Sequence, residues 1–399
     1  MRIGFLTFGQ VPMPPVKGGA IEDLLQAQIE KNEITGEHEF VVFSRFDKNA
    51  LIESAKYSHT KYIYIKQTGF CFIERVIRFI INRNLPIYIG SLFLSRALKH
   101  IKKIGYFDKI VIETAAEYSL KIPRKYVGEI ILHLHNDTVF KSRKYEDMIT
   151  KKIDRIFAVS KYIANRAAEI FPREKISVIY NGVDLNKFKI QRVQSEELKK
   201  KFNIKDKTIV FAFTGRLTAD KGADMLLDAF LKMKTKSDTC LLFIGGKHYS
   251  NNNEDSFIRE LKKKALKSQR KIFFTGYIPH EEIYKYYSIS NVLAVPSMST
   301  EALSVSAIEG LAASCPILVS DSGGIKELVN EKCGFVIKRD KKFAINLSEK
   351  MDLLADNRPL LQEMSKAARK RASNFTIETY TKRFLNLITA KGQKSPKSK

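Results

Sequence analysis

Residues 297–327 read SMSTEALSVSAIEGLAASCPILVSDSGGIKE, from Ser297 to Glu327, and parsing this stretch decides the fold. An apolar strand, NVLAVPS, ends as it begins. A helix is expected from about Leu303 to Ala313, a second strand, PILVS, follows Pro316, and the pair Gly323-Gly324 is expected to open a further helix. Strand, helix and strand, with both strands continuously apolar, make a parallel βαβ unit. Glu301 falls in the loop ahead of the helix, and Glu309, eight residues on, falls one to two turns inside it. Both can face the crevice outside the carboxyl ends of a parallel sheet, where open α/β folds bind ligands. Two carboxylates beside the unpaired N–H groups of a helix start suit a ligand rich in hydroxyls that also carries phosphate. Two glutamates at this spacing are common on solvated helices; the apolar strands on either side give the pair its weight.

Outward from this unit the same alternation fills the chain. Strands are expected at RIGFLTFG, EFVVFS, YIYIK, DKIVIE, EIILHLH and RIFAVS in the first half, and at TIVFAFTG, TCLLFIGG, KIFFTGYIP, NVLAVPS and CGFVIK in the second. Helical segments separate them, which makes the chain α/β with parallel sheets. Its 399 residues exceed what one core usually organises. The boundaries expected are 1–187 for a first Rossmann-like domain, 188–375 for a second, 376–390 for a helix crossing back, and 391–399 for a disordered basic tail.

Each half opens with strand, glycine-bearing loop and helix, the layout that holds an anion at a helix N-terminus. In the first half the loop carries Gly18 and Gly19. In the second it runs Gly215-Arg216-Leu217-Thr218-Ala219-Asp220-Lys221-Gly222. There Arg216 can fork onto diphosphate oxygens and Lys221 adds a point charge. His133 and His135 lie two apart, hence on one side of a strand. The sequence around them offers no third ligand at metal spacing, so no metal site is read.

The net charge is +26, with 69 Lys and Arg against 43 Asp and Glu. Such a chain seeks an anionic partner. No zinc finger, RNA-binding aromatic signature or helix-turn-helix spacing accompanies the charge, so no specific nucleic acid is expected. An anionic membrane surface remains a candidate partner. The stretch CFIERVIRFIINR, Cys71 to Arg83, is a basic amphipathic helix, read first as a surface helix packed on its own core and second as a membrane-interface helix. No run is long and apolar enough to span a bilayer, no signal peptide is read, and Cys71, Cys240, Cys315 and Cys333 lack disulfide or metal spacing, which together place the chain in the cytoplasm.

The series Glu301, Glu309, Gly323-Gly324 and Glu327 resembles the retaining glycosyltransferases of family 4. The chain departs from that pattern at Leu303-Ser304, where Phe-Gly is usual. The resemblance implies the GT-B fold, two Rossmann-like domains facing each other across a cleft. It implies a nucleotide-sugar donor, UDP-linked, and a saccharide or lipid-linked saccharide acceptor in cell-surface polysaccharide synthesis. It also implies roles. Arg216 and Lys221 neutralise the departing diphosphate, with Gly215 in the same loop. Glu301 binds sugar hydroxyls and Glu309 the ribose. Tyr277 and Ile278 meet the base through backbone groups. Leu303, Ser304 and Val305 offer backbone donors to phosphate. Gly18 and Gly19 face the diphosphate and the acceptor, and His135 lies beside the reacting carbon. Neither cofactor nor metal is expected. A nucleotide-sugar 2-epimerase with the same fold and a basic nucleic-acid-binding protein stay open as alternatives.

Overall fold

A computed structural model describes residues 1–66, 71–84, 88–139, 144–188, 192–247 and 254–390, with no side-chain description for residues 71–75, 77 and 192–194. The chain divides into two compact units. One is Met1–Tyr180 with the segment that starts at Tyr380; the other is Asn181–Thr379.

In the first unit, the described strands are β1 (Arg2–Leu6), β2 (Glu39–Arg45), β3 (Thr60–Ile65), β4 (Phe107–Glu113), β5 (Val127–Leu134), β6 (Arg155–Ala158) and β7 (Ile176–Val178). They form one sheet in the order β3-β2-β1-β4-β5-β6-β7, with parallel pairing throughout. The second unit holds β8 (Ile209–Thr214), β9 (Thr239–Ile244), β10 (Lys271–Phe274), β11 (Val292–Val295), β12 (Ile317–Ser320) and β13 (Gly334–Ile337). Their order is β10-β9-β8-β11-β12-β13, again parallel.

Both orders reverse direction once, between β1 and β4 and between β8 and β11. At such a reversal the loops leaving the two adjacent strands diverge to opposite faces, which opens a crevice at the carboxyl edge. The sequence reason for the buried sheets is plain. IVFAFT of β8 and TCLLFI of β9 are buried at every position, as strands covered by helices on both faces must be. Phe211, Phe213, Phe230 and Phe243 fill the core of the second unit. Each contributes about 2–3 kcal/mol by leaving water.

The final helix, Ile377–Thr389, runs from the second unit into the first, where Tyr380 and Phe384 are buried. Among the described residues no helix is long and apolar enough to cross a membrane. The turn after Gly323-Gly324 departs from the sequence expectation: it is a single 3-10 turn, Ile325–Leu328, and no α-helix opens there. The glycines serve the site instead.

Candidate active site

The reversal of the second sheet carries the charged residues. Thr214 ends β8, and the chain leaves through Gly215 to a 3-10 turn, Ala219–Lys221, before the helix Ala223–Lys232. Gly222 is required here, because its φ is +71° and a Cβ would stand 2.1 Å from the Pro296 carbonyl oxygen. That close approach seats the loop against the end of β11. The Asp220 carbonyl then accepts from the N–H groups of Met298 (2.9 Å) and Ser299 (3.0 Å). With the two loops joined through backbone, Lys221 Nζ meets Glu301 Oε1 at 2.6 Å.

Glu301 is held from the other side by the loop after β12. Its N–H donates to Ser322 Oγ (3.0 Å), whose hydroxyl in turn donates to the Ser299 carbonyl (2.5 Å). Its carbonyl accepts from Gly324 N–H at 2.7 Å. Gly323 has φ +48°, and a Cβ there would lie 2.1 Å from the Glu301 carbonyl oxygen. The glycine pair is therefore a backbone clamp on Glu301. Ser297 Oγ donates to Glu301 Oε1 at 2.5 Å. Glu301 Oε2 has no protein partner among the described residues. Arg216, in the same loop as Lys221, is 41% exposed and bonds Asp220 at 3.3 Å.

Ser304 caps the helix Val305–Ala312, its Oγ accepting from Ala307 N–H at 3.3 Å. A serine at this place is a natural N-cap, so the departure from Phe-Gly still yields a formed helix start. Leu303 is buried beneath it. Within the helix, Glu309 is buried, and its two carboxylate oxygens have separate partners: His280 Nε2 at 2.7 Å and the Tyr287 hydroxyl at 3.0 Å. Tyr287 is wholly buried, while the His280 side chain is 52% exposed. Burial, with the Glu309 carboxylate beside it, raises the Tyr287 hydroxyl well above its ordinary pKa and keeps it a donor. Tyr277 and Ile278 are half-buried and follow Gly276, whose carbonyl accepts from Gly245 N–H at 3.1 Å.

The reversal of the first sheet holds a different set. Gly18 and Gly19 have φ of +69° and +137° and lead into the helix Ala20–Thr35. Lys17 ties the loop to Asp47 at 2.7 Å. The side chain of Glu22 folds back over Gly19, where a Cβ would lie 2.3 Å from Glu22 Oε2. Burial, aided by Glu113 and Asp23, pushes the Glu22 carboxyl up to about 7 against the hydrogen bond from its own N–H.

Across this edge, Glu113 ends β4, His133 lies at the end of β5 and His135 directly follows that strand. Glu113 Oε2 lies 3.0 Å from His133 Nδ1 and 2.9 Å from His135 Nε2, and the two ring nitrogens are 3.2 Å apart. The next residue, Thr114, takes a φ of +72°, which a β-branched side chain adopts only under tertiary constraint. Burial raises the Glu113 carboxyl, but the two imidazoles more than offset it and hold it at about 2. Burial and the neighbouring His133 drop His135 to about 4, against the pull of Glu113. At neutral pH the group is thus a carboxylate accepting from a neutral His135. Tyr380 of the final helix stacks on His133 with ring centroids 6.4 Å apart, and Phe384 packs against it at 5.7 Å with its ring tilted by 47°.

Sequence spacing offered the two histidines no third partner. The structure corrects this: Glu113 comes from the adjacent strand, and the three are the described residues whose donor atoms converge closely enough to hold an ion. Their separations are also those of ordinary N–H···O bonds, which already satisfy Glu113 Oε2. Glu22, Glu113, Ser322, His280 and Tyr287 were all absent from the sequence reading. One signal existed for Glu113, an acidic residue closing the apolar run IVIE at the carboxyl end of a strand.

The second unit thus gathers Lys221, Glu301 and the Gly323-Gly324 clamp into one connected site, with Arg216 in the same loop as Lys221. Glu309 lies in the helix that follows Glu301. In the first unit the structure puts His135 with Glu113 and Gly19 with Glu22. Residues 194–371 match the family Glycosyl transferases group 1, and residues 33–187 match Glycosyltransferase Family 4. The chain belongs to the family 4 glycosyltransferases, and it is a transferase with the GT-B fold. Spore coat protein SA of Bacillus subtilis is 25% identical over 97% of this chain and 99% of its own length. A glycosyltransferase from Rickettsia africae ESF-5 shares the fold with a TM-score of 0.75 at 20% identity, over 97% of each chain. So does Anabaena HepE, solved in complex with UDP-glucose, with a TM-score of 0.73 at 17% identity, over 98% of this chain and 99% of that one.

Proposed function

We propose that the chain transfers a sugar from a UDP-sugar to a hydroxyl of a saccharide or lipid-linked saccharide, with retention of anomeric configuration, in cell-surface polysaccharide synthesis. The observation that carries this reading is the Lys221–Glu301 pair at the reversal of the second sheet, beside Arg216 and a capped helix start. As the bond between the anomeric carbon and the diphosphate breaks, negative charge grows on the leaving oxygen. Lys221, Arg216 and the N–H groups around Leu303, Ser304 and Val305 are placed to absorb it, fixed in advance by the backbone contacts described above. Lys221 releases part of its hold on Glu301 to do so, and Glu301 Oε2 stays available for a sugar hydroxyl. Glu309 takes the ribose hydroxyls: Oε2 stays with Tyr287, and the exposed His280 yields Oε1 to the ligand. Gly215, Tyr277 and Ile278 line the same edge toward the base.

On the first unit, we assign Gly18 and Gly19 to the acceptor and give His135, hydrogen-bonded to Glu113, the family role beside the reacting carbon. Attack comes in this reading from the face the diphosphate leaves, because Glu301, tied through Oε1 to Lys221 and Ser297, is assigned to a sugar hydroxyl and not to covalent attack. The family match, and the UDP-glucose bound to a protein of the same fold, support a nucleotide-sugar donor. The acceptor class rests on the net charge of +26, which suits work at the cytoplasmic face of a membrane.

A panel of nucleotide sugars tests the reading. Release of UDP from one member, lost in Lys221→Ala and kept in chelator, is the expected result, and proton NMR of the product should show the donor's anomeric configuration. Inversion, or conversion of the donor to its 2-epimer with no acceptor present, would defeat it. A salt-dependent gel shift on nucleic acid with no UDP release would favour the nucleic-acid alternative.

A further inference from the structure

Two amphipathic helices of the first unit differ in the apolar side chains described for them. The helix Leu92–Ile104 buries Phe93, Leu94, Ala97 and Ile101. The helix Cys71–Asn84 instead leaves Val76, Phe79 and Ile80 exposed, at 43%, 63% and 51%. Their spacing puts these three on one stripe, and Arg83, one turn further, continues it. The Arg83 guanidinium carbon lies 5.9 Å from the centre of the Phe79 ring.

The end of the helix is anchored. Asn82 Nδ2 donates to the Ile89 carbonyl (3.0 Å), Ile89 N–H donates to Asn82 Oδ1 (2.7 Å), and the Lys144 ammonium donates to the carbonyls of Asn82 and Arg83. These bonds satisfy the carbonyls at the helix C-terminus and hold Ile89, itself 38% exposed, beside it. Single exposed apolar side chains are ordinary, but a run of them on one anchored helix, ending in arginine, is an interaction face.

The charge of the chain selects the occupant. At +26, two copies repel, which disfavours a homodimer through this face. A nucleic acid would meet the charge but has no use for an aliphatic stripe. A lipid surface with anionic headgroups satisfies both, since it takes apolar side chains into the acyl boundary and attracts each nearby Lys or Arg by about 1 kcal/mol.

We propose that the Cys71–Asn84 helix docks this enzyme on an anionic lipid surface, with Val76, Phe79 and Ile80 entering the acyl boundary and Arg83 lying among the headgroups. This rests on the reading above only in that a lipid-linked acceptor would then sit at the same surface. The full chain is floated with phosphatidylcholine vesicles, with and without phosphatidylglycerol. Wild type should float with the phosphatidylglycerol vesicles and far less with the neutral ones. Phe79→Glu combined with Ile80→Glu should cut the bound fraction about tenfold, and Arg83→Glu should cut it severalfold. UDP binding by calorimetry and the circular dichroism spectrum should stay unchanged in all three proteins. Binding that survives the double substitution overturns the proposal. So does a wild type indifferent to phosphatidylglycerol, or one that self-associates through Phe79 and Ile80 and ignores vesicles. None of these outcomes touches the donor site, whose failure would show in Lys221→Ala and in the loss of UDP binding.

Discussion

The two sheet reversals share a plan and differ in chemistry. Both sit where a strand order runs out one way and then the other, and both begin with a glycine loop leading to a helix. At β8 and β11 the loops bring Arg216, Lys221 and Glu301 together, and the one close ion pair leaves a carboxylate oxygen and a cation at the edge. At β1, β4 and β5 the groups are Glu22, Glu113, His133 and His135, with the carboxyl of Glu113 shared between two imidazoles. The first arrangement answers a ligand with several negative charges. The second, among the described residues, presents carboxyl and imidazole groups bonded to one another and suits neutral hydroxyls. One scaffold hosts both because a crevice at a reversal is a matter of strand order, while its chemistry lies in loop residues that the sheet does not need.

The comparison breaks most visibly at Lys221. Lys221→Ala should lower donor turnover about 100-fold or more while leaving the fold intact, as circular dichroism would confirm. A loss of only a few-fold would mean that the second reversal is not the diphosphate site.

Glu113→Ala is expected to destabilise the protein by about 3 kcal/mol in urea unfolding, because two buried imidazoles lose their shared acceptor. The pH dependence should follow. Glu113 is held near 2, so its contribution is present above the ordinary carboxylate value and lost as pH falls through 2. His135 is held near 4, so the unfolded chain binds the extra proton between about 6.5 and 4, and stability declines across that window on acidification. Removing Glu113 should abolish the separate loss between the ordinary carboxylate value and 2, while His135, without Glu113 to raise it, keeps its own decline.

Gly323→Ala sharpens the contrast from the other side. A Cβ 2.1 Å from the Glu301 carbonyl at φ +48° should cost about 2 kcal/mol of stability and shift Glu301, so donor turnover should fall more than the stability loss explains. Wild-type turnover in this variant would show that the clamp does not position Glu301.

The smallest expected effect is at Glu22. Its carboxyl, held up near 7, keeps a proton that the unfolded chain has lost above the ordinary carboxylate range. Its contribution is therefore most favourable in acid and fades as pH rises through 7. Glu22→Gln should stabilise the protein at pH 8 by about 1–2 kcal/mol, with little difference at pH 4, as denaturant titrations at both values would show. A variant less stable than wild type at pH 8 would mean that the carboxylate has a cationic partner.

Much of the second reversal could be read from residues alone. Gly215 to Gly222 is contiguous, and Glu301, Glu309 and Gly323-Gly324 fall within a single βαβ unit, so short-range spacing reports their neighbourhood. The glycine pair has the local pattern of a helix start, but its role, close approach to the Glu301 carbonyl, involves a loop from a neighbouring strand that local pattern does not report. The first reversal was mostly hidden. Glu113 and His133 are twenty residues apart and meet only because β4 and β5 pair in register, Glu113 opposite His133. The helix Cys71–Asn84 is a third case: periodicity gives it two faces, and of the apolar one Phe72, Ile73 and Ile77 lie outside the described side chains, while Val76 and Ile80, with Phe79 beside them, are exposed.

The sequence by itself determined the α/β class, the repeated strand-loop-helix plan, the cationic loop of the second unit and the family resemblance, because each depends on local pattern and contiguous spacing. Tertiary structure alone decided that Lys221 neutralises Glu301, that Ser322, Gly323 and Gly324 grip the same residue, that Glu113 joins the histidines, and that Val76, Phe79 and Ile80 of the Cys71–Asn84 helix meet solvent. These are contacts between loops and strands far apart in the chain, set by which strands are neighbours, and no local pattern encodes that order.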